Sequence, residues 1–180
     1  MKLFISPHND DETLFGAFTL MHEKPLVVIV TDSYIQPNRG DKGCSARERR
    51  EETSKAMKLL GCPVFFAGLR DDTLTNGEVI SLLASFEGFE RVYAPAVQGG
   101  NVHHDMIGNA AIQVFHDKLI RYTTYTKTEL WTKGEIEVVP TQEEIELKEK
   151  AIWCYQSQIK LPSTAPHFEA VLGGKSEWLI

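Results

Sequence analysis

The stretch Leu26-Val27-Val28-Ile29-Val30-Thr31 constrains the fold more than any other part of the sequence. It is an unbroken β-favouring apolar run, and a strand with one wet face would alternate apolar and polar residues instead. Such a strand must be covered on both faces, as in a parallel sheet flanked by helices. A second apolar run lies at 2–6. Between the two, residues 12–21 carry Leu14, Phe15, Phe18 and Met21 at helical spacing. Strand, helix and strand in that order form a right-handed crossover unit.

The same rhythm continues along the chain. A helix is predicted over 47–60, with Ala56, Leu59 and Leu60 apolar and Gly61 as its stop. Strands are predicted at 64–69 and 91–97, with a helix at 78–86 between them. Residues 106–122 carry Ile107, Ala110, Ala111, Val114, Phe115 and Leu119 on one side of a further helix. The Thr-, Tyr-, Trp- and Val-rich segment 123–139 suggests one or two late strands. Thr141 and Glu144 then form a capping-box pattern that opens a last helix running to about Gln158. The tail 160–180, with Pro162, Pro166, Gly173 and Gly174, is expected to be irregular and packed on the body. The fold class is therefore α/β: a Rossmann-like, mostly parallel sheet with helices on both faces, in one catalytic domain over 1–180. In such sheets ligands bind beyond the carboxyl ends of the strands.

Composition narrows the function. The sequence has 180 residues with 42% hydrophobic, enough for a sizeable core. Its formal charge of −6, without a Lys/Arg run, argues against nucleic acid. No apolar stretch approaches the roughly 20 residues of a membrane span, and no secretory leader pattern opens the chain. Cys44, Cys62 and Cys154 form neither an even set nor a CxxC pair, so a cytoplasmic, reducing environment is the expectation. Strand one leads into His-Asn-Asp-Asp rather than a glycine-rich turn, which disfavours a dinucleotide cofactor.

Two polar clusters fall at strand ends. Ser6-Pro7-His8-Asn9-Asp10-Asp11-Glu12 follows the first strand and places an imidazole and three carboxylates together. A divalent metal would offset the repulsion among the acids, and imidazole and carboxylate are good zinc ligands. Helix capping alone would explain the acids but not His8. Gly99-Gly100-Asn101-Val102-His103-His104-Asp105 follows the 91–97 strand. A catalytic zinc site has three protein ligands and an open position, so His8, Asp11 and one of these histidines would suffice.

These residues resemble the PIG-L/LmbE-like zinc-dependent N-deacetylases of N-acetylglucosaminyl substrates. The family's His-Pro-Asp-Asp-Glu motif is similar to His8-Asn9-Asp10-Asp11-Glu12, and its Gly-Gly-His-Val-Asp-His motif to Gly99-Gly100-Asn101-Val102-His103-His104 with Gly108. Arg49-Arg50-Glu51-Glu52, leading through Ala56 to Leu60-Gly61, and the segment from Lys150-Ala151 to Tyr155-Gln156-Ser157-Gln158 also match. The resemblance implies His8, Asp11 and His104 as zinc ligands and Asp10 as general base. It places Arg49 and Asp72 near the substrate; a solvated helix arginine and an ordinary turn aspartate are the plain alternatives. Asn101 stands where the family has a histidine and His103 where it has an aspartate. Asparagine can donate a hydrogen bond to an oxyanion but cannot act as a general acid, and His103 could take over a cationic role.

The implied activity is removal of an N-acetyl group from an N-acetylglucosamine-like sugar or glycoconjugate. Zinc is the expected metal, although the ligand set also accepts iron or another divalent ion. Two other functions fit the same residues: an amidase acting on a larger acyl amide or thiol conjugate, and a metal-retaining sugar-binding protein without catalysis. The loop at 33–46 is a candidate rim of the cleft. A homo-oligomer in which a partner subunit helps to close that cleft is a further expectation.

Overall fold

A computed structural model describes residues 1–32, 44–172 and 176–180. The expected strands and helices of the first half form in place. β1 (Lys2–Ser6), α1 (Asp11–Glu23), β2 (Leu26–Thr31), α2 (Ala46–Leu60), β3 (Val64–Leu69), α3 (Asn76–Ala84), β4 (Arg91–Pro95) and α4 (Val102–Phe115) follow one another. β5 (Leu119–Tyr122), β6 (Ile136–Val138), α5 (Gln142–Ile152), α6 (Gln156–Ile159), α7 (Ala165–Val171) and β7 (Glu177–Leu179) complete the described chain.

Seven strands make one sheet in the order β3-β2-β1-β4-β5-β7-β6. β3, β2, β1, β4 and β5 run parallel, while β7 pairs antiparallel with both β5 and β6. The sheet is thus mostly parallel with helices on both faces, as its sequence suggests. Side chains alternate along each strand, so Phe4, Val27, Ile29, Tyr93 and Tyr122 face one apolar cluster with α1, α2 and α5. Leu3, Ile5, Val28, Val30, Val92 and Ala94 face the other, with α3 and α4. Every residue from Val27 to Val30 is buried, which is the outcome its unalternating composition requires.

Two expectations are corrected. The helix predicted over 106–122 starts earlier and ends at Phe115; His116 adopts φ 48°, ψ −117°, and 119–122 form β5 against β4. An apolar run of four residues fits a buried strand as well as a helix end, and pairing with β4 decides the matter. The tail at 160–180 contains α7 and β7, and β7 lies inside the sheet rather than upon it. The rim predicted at 33–46 and the Gly173-Gly174 turn fall largely outside the described residues.

The sheet reverses direction of growth at β1, which has β2 on one side and β4 on the other. A crevice opens at the carboxyl ends of strands flanking such a switch point. His8 to Asp11 leave β1 there and Asn101 to His104 follow β4, so the two polar clusters meet.

Candidate metal centre

α1 begins beside the site in an unusual way. Asp10 occupies its N-cap position at φ 140°, ψ −33°, a conformation L-residues seldom adopt, and makes no side-chain cap hydrogen bond. Capping is therefore not what its carboxylate does. The chain instead turns so that Asp10, Asp11 and Glu12 all point inward and are all buried.

Each acid has separate partners. Glu12 Oε2 accepts from Ser6 Oγ at 3.0 Å and from the Asp10 amide at 3.0 Å, and Tyr155 donates its hydroxyl to Oε1. Burial still drives the Glu12 carboxyl above the ordinary glutamate range. Asp11 Oδ2 lies 2.9 Å from His8 Nδ1 and 3.0 Å from His104 Nε2, and accepts the His8 amide at 3.1 Å. The neighbouring imidazoles hold its carboxyl far below the usual range despite its burial. Asp10 Oδ2 accepts from Arg49 Nη2 at 3.2 Å, and Arg49 also donates to the Asn9 carbonyl. Burial outweighs that cation and pushes the Asp10 carboxyl up to about 7.

His8, Asp11 and His104 each offer a ligand atom within 4.8 Å of the others. The donor set suits a divalent cation: two imidazoles and a carboxylate, with two more buried acids adjacent to balance the charge. The residues present thus fit the metal that the sequence implies.

The remaining sequence-predicted residues fall as follows. His103 reaches the cluster, with its Nδ1 3.0 Å from His8 Nε2, and burial lowers its pKa. Asn101 is the N-cap of α4: its Oδ1 accepts the His103 amide at 2.8 Å and its Nδ2 donates to the Tyr125 hydroxyl at 3.1 Å. Arg49 is only 2% exposed, so the solvated-helix alternative is overturned; its guanidinium is turned to Asp10. Asp72 lies in the short 3-10 turn after β3 and pairs with Arg70 at 2.6 Å.

Four participants escaped sequence reasoning. The Asp71 charge acts on His103 against the effect of burial, Thr124 Oγ1 lies 3.3 Å from His104 Nδ1, and Tyr155 holds Glu12. The Tyr125 ring packs edge-on to His104 and against His167 of α7, with centroids 5.1 and 4.4 Å away. Asp71 was beside the chosen Asp72, and only fold geometry separates the two. Tyr155 belonged to a segment noted for its resemblance, without a physical role.

The sequence profile described as PIG-L, GlcNAc-PI de-N-acetylase, matches residues 3–115, a span that includes His8, Asp11 and His104. The chain belongs to the PIG-L family. Membership supports an N-deacetylase, a hydrolase of carbon–nitrogen bonds. Among solved structures, N,N'-diacetylchitobiose deacetylase from Pyrococcus horikoshii superposes with TM-score 0.75 at 22% identity, covering 99% of this chain and 82% of that one. A triple mutant of a deacetylase involved in the teicoplanin biosynthetic pathway gives 0.76 at 20% identity, covering 99% and 96%. The 4-carboxy-2-hydroxymuconate hydratase GalB from Pseudomonas putida gives 0.67 at 14% identity, covering 99% and 95%. These likenesses establish the LmbE-like fold, and the hydratase illustrates that the fold alone does not dictate the reaction. No curated protein matches by sequence. Among the described residues of this PIG-L protein, no helix is long and apolar enough to cross a membrane.

Proposed function

We propose that this PIG-L protein is a metal-dependent N-deacetylase, with zinc or a similar divalent ion held by His8, Asp11 and His104, acting on an N-acetylated sugar or glycoconjugate. One observation carries the reading: nitrogen atoms of two rings converge on one Asp11 oxygen, beside a buried carboxylate that is not part of the ligand set. A divalent cation in such a site lowers the pKa of a coordinated water to about 7 and polarises an amide oxygen.

Asp10 is the general base in this scheme. With a carboxyl pushed up to about 7 by burial, it accepts a proton from attacking water near neutral pH and returns it to the departing amine. Arg49 keeps that carboxylate in place from the side of α2. Asn101 contributes through structure, capping α4 so that His104 faces inward and steadying Tyr125, which lines the same space. Asp72 remains a candidate for substrate contact at the outer edge of the site. The family description supports the N-acetylglucosamine class of substrate, since its name specifies that group.

The test is metal content of the purified protein alongside acetate release from a panel of N-acetylated sugars. Wild type is expected to carry about one equivalent of metal and to release acetate. Asp10→Asn should keep the metal and lose about 10²–10⁴ in rate, the usual contribution of a positioned base. Equal rates for wild type and Asp10→Asn would refute the assignment. Metal retention without hydrolysis of any N-acetyl sugar would favour the sugar-binding alternative.

A further inference from the structure

Hydrogen-bond bookkeeping around the three ligands carries one step more, and it rests on the metal-site reading above. A neutral imidazole has one N–H and one bare nitrogen, and the partner of one nitrogen decides the state of the other. For His104 the chain of partners begins at Gln98. The Gln98 side chain is oriented by donating Nε2 to Thr132 Oγ1 at 2.8 Å, so its Oε1 faces Thr124 and accepts the Thr124 amide at 2.7 Å. Thr124 Oγ1 donates to the same oxygen at 3.4 Å, which leaves its lone pair for His104 Nδ1–H at 3.3 Å. In a neutral ring that keeps its proton on Nδ1, Nε2 faces Asp11 with a lone pair for a cation.

His8 is governed by a second chain of partners. His8 Nδ1 lies 2.9 Å from Asp11 Oδ2, on the side of the donor set, and its Nε2 lies 3.0 Å from His103 Nδ1. A neutral imidazole that gives Nδ1 to a cation carries its proton on Nε2, so the nitrogen facing it, His103 Nδ1, is the acceptor. With a cation among them, His8 Nδ1, His104 Nε2 and the Asp11 oxygen can each turn a lone pair to it.

We infer that His103 is a positioning residue for the metal ligand His8: it holds the His8 ring as the Nε2–H tautomer and presents Nδ1 to the cation. Outer partners of this kind fix ligand orientation, and their loss costs about 10–100-fold in metal affinity. His103 therefore acts through the ligand rather than on the substrate.

Zinc titration against a chromophoric chelator tests this without any substrate. His103→Leu, which fills the space and removes the acceptor, should weaken zinc binding about 10–100-fold. His103→Asn keeps an acceptor oxygen at the reach of Nδ1 and should restore most of that loss. Ring-nitrogen NMR of zinc-loaded wild type, which needs no variant, should show His8 coordinated through Nδ1 with a slowly exchanging Nε2–H. Zinc affinity unchanged in His103→Leu, or coordination through His8 Nε2, overturns the inference, as does a wild type that binds no zinc. Acetate release is a separate readout, so failure of the deacetylase reading is distinguishable from failure of this one.

Discussion

Placing three carboxylates at the N-cap and first turn of one helix and burying all of them is costly, and each is stabilised by different neighbours. Asp10 has Arg49, Asp11 has two imidazoles, and Glu12 has Ser6, Tyr155 and a backbone amide. Removing the cation beside a buried carboxylate leaves an uncompensated charge, which costs about 3–5 kcal/mol. Arg49→Met is expected to destabilise by less than that, about 1–3 kcal/mol in urea unfolding at pH 8, because Asp10 can take up a proton; a loss below 1 kcal/mol would show that Asp10 does not depend on it. Binding a cation relieves the crowding further. At about 100 times its dissociation constant, zinc should raise the unfolding free energy by about 2.7 kcal/mol relative to chelator-treated protein, and coincident urea curves would refute a native-state metal site. At this scale the proposed ligands His8 and Asp11 were legible because His8 to Glu12 is a dense local cluster. Asp71 and Tyr125 were not, because their partners lie far along the chain.

Helix α4 carries two site residues, and its placement depends on close contact with β4. A Cβ at Gly108 would sit 2.6 Å from the Pro95 carbonyl oxygen, a backbone atom that cannot swing aside. Gly108→Ala is therefore expected to cost about 1–3 kcal/mol through overpacking, despite the better helix propensity of alanine. Urea unfolding measures this, and a stabilised Gly108→Ala would mean that α4 is free to move outward. Gly16 plays the matching part for α1, where a Cβ would meet the Phe4 ring at 2.2 Å. The periodicity that announced these helices says which face is apolar, but not how near a helix approaches its strand. Likewise 119–122 extended the apolar pattern of α4 acceptably, and only the vacant edge of β4 made it a strand.

Across the whole molecule, the last described strand is joined to the first helix by a buried ion pair. Glu177 accepts the amides of Phe18 and Thr19 at 2.9–3.1 Å, and Lys148 donates to Glu177 at 2.9 Å and to the Leu14 carbonyl at 2.8 Å. The pair thus enters one rung of α1 and links α5, β7 and the helix that starts at Asp11. Glu177→Gln should destabilise by about 3–5 kcal/mol because it strands a buried ammonium, and Lys148→Met combined with Glu177→Leu should recover part of that loss. Strict additivity of the two sites in urea unfolding would show that they do not interact. Nothing near Glu177 announces this role: a glutamate beside Ser176 and Trp178 resembles any surface acid. What the sequence determined by itself was local in origin: an unalternating buried strand, the strand–helix rhythm, and a His-Asn-Asp-Asp-Glu cluster whose donors suit a cation. Tertiary structure decided the rest, namely which ring nitrogen faces Asp11, where Arg49 points, and how a tail rich in turn residues becomes a strand of the sheet. Those outcomes depend on partners 40 to more than 100 positions apart, whose meeting is set by backbone packing and leaves no periodic trace in the chain.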